Sequence, residues 1–316
     1  IRQNIMKKML EFAKKTLKKG GLVIFPTETV YGLGGDATNN IALKKIFKLK
    51  KRPRNNPLIC HFKNITEVKK NCKIKTLDEK LINLFWPGPL TLILEKKKTS
   101  SISPLVSNSL NFIGCRIPKN KTAKSLLNLV NVPIAAPSAN IATKITSTHP
   151  LHLLKYFKKK VFILDGGRSK LGLESTVIKT FNKHIKILRL GSISIEEIKS
   201  KLPNVKIIIS NNKSIISPGN QKKHYAPNLP IRINVKKINK NESLLNFGNN
   251  NLKSNICEYN LSFSGNLKEA SKNFFYYLHL LDNTKCSKIA VAPIPNYGLG
   301  KTINDKLKRA SYNKNN

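Results

Sequence analysis

The stretch KKRPRNNPLICHF, residues 50–62, joins a strongly basic half to a short apolar run. Pro53 and Pro57 each fix a backbone φ angle, which indicates a held loop and not a helix. The apolar residues 58–60 predict a buried strand that carries His61 to its end. A rigid cationic loop leading into a strand suits an anionic ligand such as a polyphosphate; a solvated basic loop is the alternative. The cations of this loop are Lys50, Lys51, Arg52 and Arg54.

The segments on both sides of this loop alternate between strand and helix patterns. Residues 1–19 predict an amphipathic surface helix, 26–38 a loop rich in hydroxyls and glycines, and 40–49 a helix with Ile41, Leu43 and Ile46 inward. Apolar strands separated by helices indicate an α/β domain with a largely buried sheet. Further helices are predicted at 77–85, 121–130 and 149–157, a serine-rich loop at 99–110, and strands at 22–25, 90–94, 112–117, 132–136, 161–164, 174–179 and 185–190.

The alternation stops near residue 203, where Ser, Asn, Pro and Gly become prominent. It restarts after residue 230 with a strand near 231, a helix at 267–281, a strand at 289–293 and a helix at 303–310. The sequence therefore predicts an α/β domain at 1–202, a linker at 203–230 and a second, smaller α/β domain at 231–316.

Composition excludes some classes of protein. No apolar run among the 316 residues approaches the roughly 20 that a membrane helix needs. The first 19 residues lack the continuous apolar core of a signal peptide. Five cysteines without a C-x-x-C pair give no metal or disulfide framework and point to a reducing cytoplasm.

The net charge of +42 permits contact with nucleic acid, including RNA, and is weak evidence for it. Lysines are spread along the whole chain, and Asn and Ile are abundant as well. A genome biased toward A and T would produce that mixture without selection for binding.

The residues favour binding chemistry over covalent catalysis. Ser138 is not in a G-x-S-x-G elbow, and His149 and His152 have H-x-x-H spacing without a third metal ligand, which favours a surface helix. Asp165 and Glu174 receive no catalytic role. Arginines at strand or loop ends, with hydroxyl-rich loops, could position a phosphate anhydride and neutralise its charge, with magnesium carried by the nucleotide.

Eight motifs in order resemble those of the YrdC-type threonylcarbamoyl-AMP synthases in their long, two-domain form. The resemblance implies a YrdC-like twisted mixed sheet with flanking helices, followed by a smaller Rossmann-like α/β domain. The motifs are PTETVYGLG at 26–34, K-x-R-P-x-x-x-P-L at 50–58, WPGPLT at 86–91, G-x-R-x-P at 114–118, APSAN at 136–140, GLESTV at 172–177, SPGNQKKHYAP at 217–227 and GLGKTINDKLKRA at 298–310.

The resemblance implies a nucleotidyltransferase that combines L-threonine, bicarbonate and ATP into threonylcarbamoyl-AMP and pyrophosphate. Partner proteins then transfer the threonylcarbamoyl group to the adenosine beside the anticodon of tRNAs reading ANN codons. The threonine amine captures carbon dioxide as a carbamate, whose oxygen attacks the α-phosphorus. No protein nucleophile is needed, and Mg²⁺ arrives with ATP and not on protein side chains.

The resemblance also implies two sets of binding residues. Arg116 is expected to pair with the threonine carboxylate, and Tyr225 to make the linker a lid over the site. Lys306 replaces the family's arginine in the terminal motif, a change expected to concern the second domain and not the chemistry. The threonine set is Thr29, His61, Arg116, Ala136 and Ser175. The ATP set is Lys50, Arg52, Asn56, Ser138, Asn140, Thr146, Arg189 and Tyr225, of which Lys50 and Arg52 would screen phosphate charge.

Two other functions stay open at this level. One is a non-catalytic RNA-binding protein that keeps the fold and the basic surface; a lid would be superfluous in such a protein. The other is a carbamoyl-handling enzyme of the hydrogenase-maturation type, which fits poorly because zinc-finger cysteines and an acylphosphatase-like segment are missing from the sequence.

Overall fold

The computed structural model describes residues 2–157, 160–210 and 224–312. Its first part begins with α1 (Arg2–Lys18), β1 (Val23–Phe25), β2 (Gly32–Asp36), α2 (Asn40–Lys50) and β3 (Ile59–His61). It continues with α3 (Ile65–Asn71), β4 (Cys72–Lys73), α4 (Thr76–Phe85), β5 (Leu90–Lys96), α5 (Pro104–Ser107), β6 (Phe112–Arg116), α6 (Lys121–Val130) and β7 (Ile134–Ala135). The last elements of this part are α7 (Pro150–Phe157), β8 (Phe162–Ile163), β9 (Thr176–Thr180), β10 (His184–Arg189), α8 (Ile195–Lys201) and β11 (Lys206–Ile209).

The strands of the first part form one mixed sheet. Within the described ranges it has 11 strands, ordered β11-β10-β9-β5-β6-β3-β7-β2-β1-β8, with β4 paired to β5. The pair β3–β6 is parallel and sets His61 opposite Arg116. The carboxyl ends of these two strands therefore meet at one edge of the sheet, which is where their side chains can share a ligand.

Helices cover both faces of this sheet because its strands alternate apolar residues between the faces. Val23 and Phe25 pack in one core with residues of α1 and α6, while Ile24 packs in the opposite core with residues of α2. The Asn39 side chain caps α2 by accepting hydrogen bonds from the amides of residues 41 and 42. Helices therefore cover both faces of the sheet, whereas the carboxyl ends of β3 and β6 are available to form a site.

The second part is a smaller α/β unit with β12 (Ile231–Arg232), β13 (Glu242–Asn246), β14 (Glu258–Asn260), α9 (Leu267–Leu281), β15 (Lys288–Val291) and α10 (Gly298–Ala310). The four strands are ordered β12-β15-β13-β14, and each of the three pairings is parallel. This arrangement agrees with a Rossmann-like unit.

The core of the second part also contains residues from the first part. Val30, Ile145 and Leu173 belong to the same buried apolar cluster as Phe274 and Phe275 of α9. Between the two parts, the Nε2 atom of His279 lies 3.2 Å from the carbonyl oxygen of residue 146, and the Thr302 hydroxyl donates to the carbonyl of residue 191. The two sheets are therefore joined by a packed interface and not by the linker alone.

Several sequence predictions of local structure need correction. Residues 32–36 form β2 inside the predicted loop, because four apolar or glycine positions there are buried between β1 and β7. Ile41 is 64% exposed and does not face inward. Strand β11 lies inside the predicted linker and pairs with β10, and α3, β4, β13 and β14 were not predicted. Residues 211–223 of the predicted linker fall outside the described residues, and the predicted domain bounds stay a prediction.

The α/β class is confirmed, and α9 coincides with the helix predicted at 267–281. Among the described residues, the structure contains no helix that is both long and apolar enough to cross a bilayer.

Gly191 allows two backbone segments to approach closely beneath the site. A Cβ atom at this position would lie 2.4–2.5 Å from backbone atoms of residues 174–176. We expect Gly191→Ala to lower the free energy of unfolding by about 2 kcal/mol or more, because the backbone must move to accept the methyl group. In the control Gly114→Ala, the new Cβ meets its neighbours at 3.4–3.5 Å, so stability should change little. Equal urea midpoints for both variants and the parent protein would contradict this packing argument.

Candidate active site

A pocket opens where the ends of β3, β6 and β10 meet the loops that follow β1 and β7. The described residues that line it include all five of the predicted threonine set and three of the predicted ATP set. Those eight are Thr29, His61, Arg116, Ala136, Ser175, Arg52, Ser138 and Arg189. Their roles stay predictions, but the sequence motifs do converge on one cavity.

Arg116 is buried and held in place by three protein groups. Its Nε donates to the carbonyl of Gly88 (3.1 Å), one Nη donates to the Thr29 hydroxyl (2.9 Å), and the other donates to the Glu28 carboxylate (2.7 Å). A guanidinium has five N–H groups, so two remain for a ligand carboxylate. The guanidinium of Arg116 is therefore fixed in position while two of its N–H groups stay available to a ligand.

Glu28 was not singled out from the sequence, although it lies in the first motif. Its carboxylate also accepts from the backbone amides of Lys119 and Asn120. Burial disfavours the charge of Glu28, but Arg116 and these amides outweigh it and lower the pKa of the carboxyl group. Glu28 thus stays ionised and anchors Arg116 at the pocket wall.

A second buried ion pair lies on the side of β10. Arg189 donates through Nε and Nη2 to the carbonyl oxygen of Ser175, and its other Nη lies 3.6 Å from Glu174. Burial opposes ionisation of Glu174, yet Arg189 and Lys306 lower its pKa to about 2. Glu174 lines the pocket, although its sequence context, beside Ser175 in the GLESTV motif, led to no predicted role.

Tyr225 lies behind this second pair. Its hydroxyl donates to the Glu174 carboxylate, and its fully buried ring packs against Phe275 of α9, with ring centroids 5.3 Å apart. The preceding residue, His224, lines the pocket and was not predicted from the sequence. The end of the linker therefore reaches the site, with His224 at the pocket wall and Tyr225 one layer behind it.

Arg52 lines the pocket, but it is not a free loop charge. It is half-buried, and its guanidinium donates to the backbone carbonyls of Asn56 (3.0 Å) and Pro57 (2.8 Å) and to the Asn56 side chain. The held loop that the prolines indicated is thus closed by an arginine brace. Burial, and to a smaller extent the positive charge of Arg189, lower the pKa of Arg52.

Lys50 does not contact the pocket. Helix α2 runs through Lys50 to a left-handed cap at Lys51, so the Lys50 side chain lies on the buried face of the helix. Its Nζ donates to the backbone carbonyls of Ser138 and Asn140 and to the Asn140 side chain. Burial lowers the pKa of this amine well below its ordinary value. Lys50 thus supports the turn at 138–140 from behind.

Four other predicted ATP residues also lie outside the pocket lining, each for a local reason. The Asn56 side chain accepts a hydrogen bond from Arg52. The Asn140 side chain accepts from Lys50 and donates within its own turn. The Tyr225 hydroxyl donates to Glu174. The Thr146 hydroxyl is buried without a hydrogen-bond partner among the described residues. The sequence pattern identified the neighbourhood of these residues but not the direction of their side chains.

Two histidines present unpartnered nitrogen atoms at the pocket. Among the described residues, the Nδ1 atoms of His61 and His224 are buried without a hydrogen-bond partner. Burial lowers the pKa of each ring to about 3, Arg116 adding to the effect at His61, while Glu174 opposes it at His224. Both rings are therefore neutral at physiological pH and can hydrogen-bond a ligand.

The surface helix predicted for His149 and His152 is corrected. The ring of His152 stacks on that of His279 at 3.9 Å, and both His149 and His152 contact the ring of Tyr276. These residues form part of the interface between the two sheets. Within the described ranges no group of three or more His, Cys, Asp or Glu side chains could hold a metal ion.

The pocket is lined by three arginines and two neutral histidines, Arg52, Arg116, Arg189, His61 and His224, which define a binding site for an anionic ligand in an α/β protein. Residues 15–191 match the family model Sua5–YciO–YrdC, described as telomere recombination. Residues 193–311 match the model of the threonylcarbamoyl-AMP synthase C-terminal domain. The chain belongs to this two-domain branch of the Sua5–YciO–YrdC family.

Individual relatives agree with this assignment. The threonylcarbamoyl-AMP synthase of Pyrococcus abyssi is 33% identical over 98% of this chain and 96% of its own length. That of Bacillus subtilis is 38% identical over 70% of this chain and 65% of its own length. The crystal structure of P. abyssi Sua5 complexed with L-threonine superposes with a TM-score of 0.86 at 31% identity, covering 96% of this chain and 94% of that one.

A structure of HypF in a phosphate- and nucleotide-bound form matches with a TM-score of 0.52 at 22% identity, over 58% of this chain and 29% of that one, which shows a shared fold alone. The family resemblance drawn from the motifs and the predicted fold, a YrdC-like mixed sheet with a smaller C-terminal α/β domain, are both confirmed.

The neutral histidines predict a dependence of stability on pH. Burial lowers the pKa of His61 and His224 to about 3 and that of His279 to about 4, against 6.5 when unfolded. Below pH 6.5 these histidines bind protons in the unfolded chain but stay neutral in the folded chain. The free energy of unfolding therefore falls as the pH drops below 6.5. Between pH 6.5 and pH 5, each of these histidines should lower the free energy of unfolding by about 1.5 kcal/mol. Urea titrations at several pH values measure this free energy. In His279→Phe, which lacks one of the three histidines, it should fall less steeply with pH than in the parent protein. A flat profile would contradict it.

Proposed function

We propose that this chain synthesises L-threonylcarbamoyl-AMP from L-threonine, bicarbonate and ATP, with release of pyrophosphate, for modification of tRNAs that read ANN codons. The observation that carries the proposal is one pocket lined by Arg116 together with Arg52 and Arg189. The family and the shared name of its relatives support it, and the prediction that the chain is a nucleotidyltransferase is confirmed.

The amino-acid end of the pocket centres on Arg116. Its two remaining N–H groups can bind the threonine carboxylate as a fork, a geometry that lysine cannot reproduce. The buried His61 Nδ1 and the Thr29 hydroxyl flank this position. Threonine held there would keep its amine free to capture carbon dioxide, forming a carbamate whose oxygen becomes the nucleophile.

The nucleotide end centres on Arg52, Arg189 and Ser138. The positive charge of Arg189 disfavours the charged form of Arg52, so a polyphosphate bound by both guanidiniums would offset their repulsion. The carbamate oxygen would attack the α-phosphorus, and the bond from that phosphorus to pyrophosphate would break. The chain acts by orientation and charge screening, with His224 and Tyr225 excluding water from a labile product.

Magnesium enters this proposal as part of the substrate. Glu174, which lines the pocket, is committed to Arg189, and Glu28, which lies outside the lining, is committed to Arg116. An ion would accordingly be held by ATP oxygens and screen their charge. Partner proteins would then transfer the threonylcarbamoyl group to tRNA. The basic composition permits contact between this chain and that tRNA.

A pyrophosphate assay tests the function. We expect pyrophosphate to appear only when ATP, L-threonine and bicarbonate are all present, together with a product of the mass of threonylcarbamoyl-AMP. This joint requirement separates the synthase from a non-catalytic RNA-binding protein. Pyrophosphate formed without threonine, or with any amino acid equally, would contradict the assignment.

Replacing Arg52 tests the nucleotide end. Arg52→Ala removes a pocket cation and the brace of its loop, and we expect turnover to fall by about 100-fold or more, since charge screening is the main catalytic contribution. The matched control is Arg54→Ala, an exposed arginine of the same loop, which should retain parental turnover. Circular dichroism verifies the fold of both. Similar turnover in the two variants would remove Arg52 from the mechanism.

A further inference from the structure

Helix α10 of the second part reaches the back of the active site. On one face of this helix, the Thr302 hydroxyl donates to the carbonyl of Gly191 (3.1 Å), and Lys306, one turn later, donates through Nζ to the carbonyl of Leu190 (3.1 Å). Both carbonyls directly follow Arg189 at the end of β10. The helix therefore grips the chain segment that carries a pocket arginine.

Lys306 is fully buried and also lies against the lid tyrosine. Its Nζ is 5.0 Å from the centroid of the Tyr225 ring, within the range of a cation–π contact, and 3.3 Å from the Asp305 carboxylate. Asp305 in turn accepts from the Arg309 side chain (3.0 Å). The charge of Lys306 is thus shared between a carboxylate, a carbonyl and an aromatic face, with no contact to the pocket itself.

Tyr225 needs support from its surroundings. Its backbone is left-handed (φ +62°), a conformation that is costly for a residue with a large side chain. The neighbouring His224 amide donates to the carbonyl of Arg309 at the end of α10 (3.2 Å). The ring rests on Phe275 and Lys306 while the hydroxyl bonds to Glu174. Helix α10 therefore contacts both the backbone and the ring of the lid segment.

We propose that Lys306 is a positioning residue for the nucleotide end of the pocket, acting through Tyr225 and the carbonyl of Leu190 on the Glu174–Arg189 pair. The second domain then helps to assemble the site instead of only covering it. This inference rests on the proposed function, and it corrects the expectation that position 306 concerns the second domain alone.

Kinetics of Lys306→Met test the proposal. We expect the KM for ATP and the calorimetric Kd for ATP to rise about tenfold, while the KM for threonine changes by less than about twofold, because Lys306 adjoins the nucleotide side only. Methionine has a similar volume and Asp305 keeps Arg309, so the fold should survive. Lys306→Arg, which keeps the cation, should restore the KM for ATP to within about threefold of the parent value.

Two controls separate positioning from general damage. Lys308→Met removes an exposed lysine of the same helix and should leave the kinetics unchanged. In a Tyr225→Ala background, Lys306→Met should cost less than it does in the parent protein, because the contact through Tyr225 is already removed while that to the Leu190 carbonyl remains. Should Lys306→Met not fold, Lys306→Gln takes its place; because it keeps a donor for the Leu190 carbonyl and loses only the charge, a smaller rise in the KM for ATP, about threefold, is expected.

The outcomes that overturn the proposal are distinct from failure of the proposed function. A folded Lys306→Met with the parental KM and Kd for ATP, equal rises for ATP and threonine, or additive losses in the double variant would each overturn it. Failure of the parent protein to form threonylcarbamoyl-AMP would overturn the proposed function, while the ATP Kd comparison would still decide whether Lys306 positions the nucleotide end.

Discussion

Two buried arginine–carboxylate pairs, Arg116–Glu28 and Arg189–Glu174, are the interactions on which the pocket depends. A buried charge is tolerated only when it is compensated, and each carboxylate here also receives further hydrogen bonds. The arginines are therefore held rigidly while keeping N–H groups for a ligand. Preorganised cations of this kind stabilise developing negative charge without rearranging during the reaction, which suits a nucleotidyltransferase.

The position of each pair follows from the sheet. Parallel pairing of β3 with β6 brings His61 beside Arg116. Arg189 lies at the end of β10, which belongs to the same sheet and is separated from β6 by β5 and β9. The second domain contacts the pocket wall through Tyr225. The ring of Tyr225 belongs to the core of that domain, and its hydroxyl donates to Glu174. Substrate binding and the packing of the two domains are consequently coupled through a few residues.

Strongly periodic segments and motif positions could be predicted from the sequence, and side-chain direction could not. The helix at 267–281 has a clear apolar period and a capping Asn266, so its bounds were predictable. The direction of the Lys50 side chain could not be predicted, because the run of basic residues at the end of α2 gives no apolar pattern from which to read the buried face of the helix. The partners of Glu28 and Glu174 are distant in sequence: 88 residues separate Glu28 from Arg116. A single sequence carries no signal of such pairings, so both carboxylates were missed.

The most direct test of the account is a crystal structure of the protein soaked with L-threonine and a non-hydrolysable ATP analogue. The account predicts the threonine carboxylate on Arg116, the phosphates between Arg52 and Arg189, and Tyr225 still bonded to Glu174. Nucleotide bound elsewhere, for example at the parallel sheet of the second domain, with the arginine pocket empty, would contradict it.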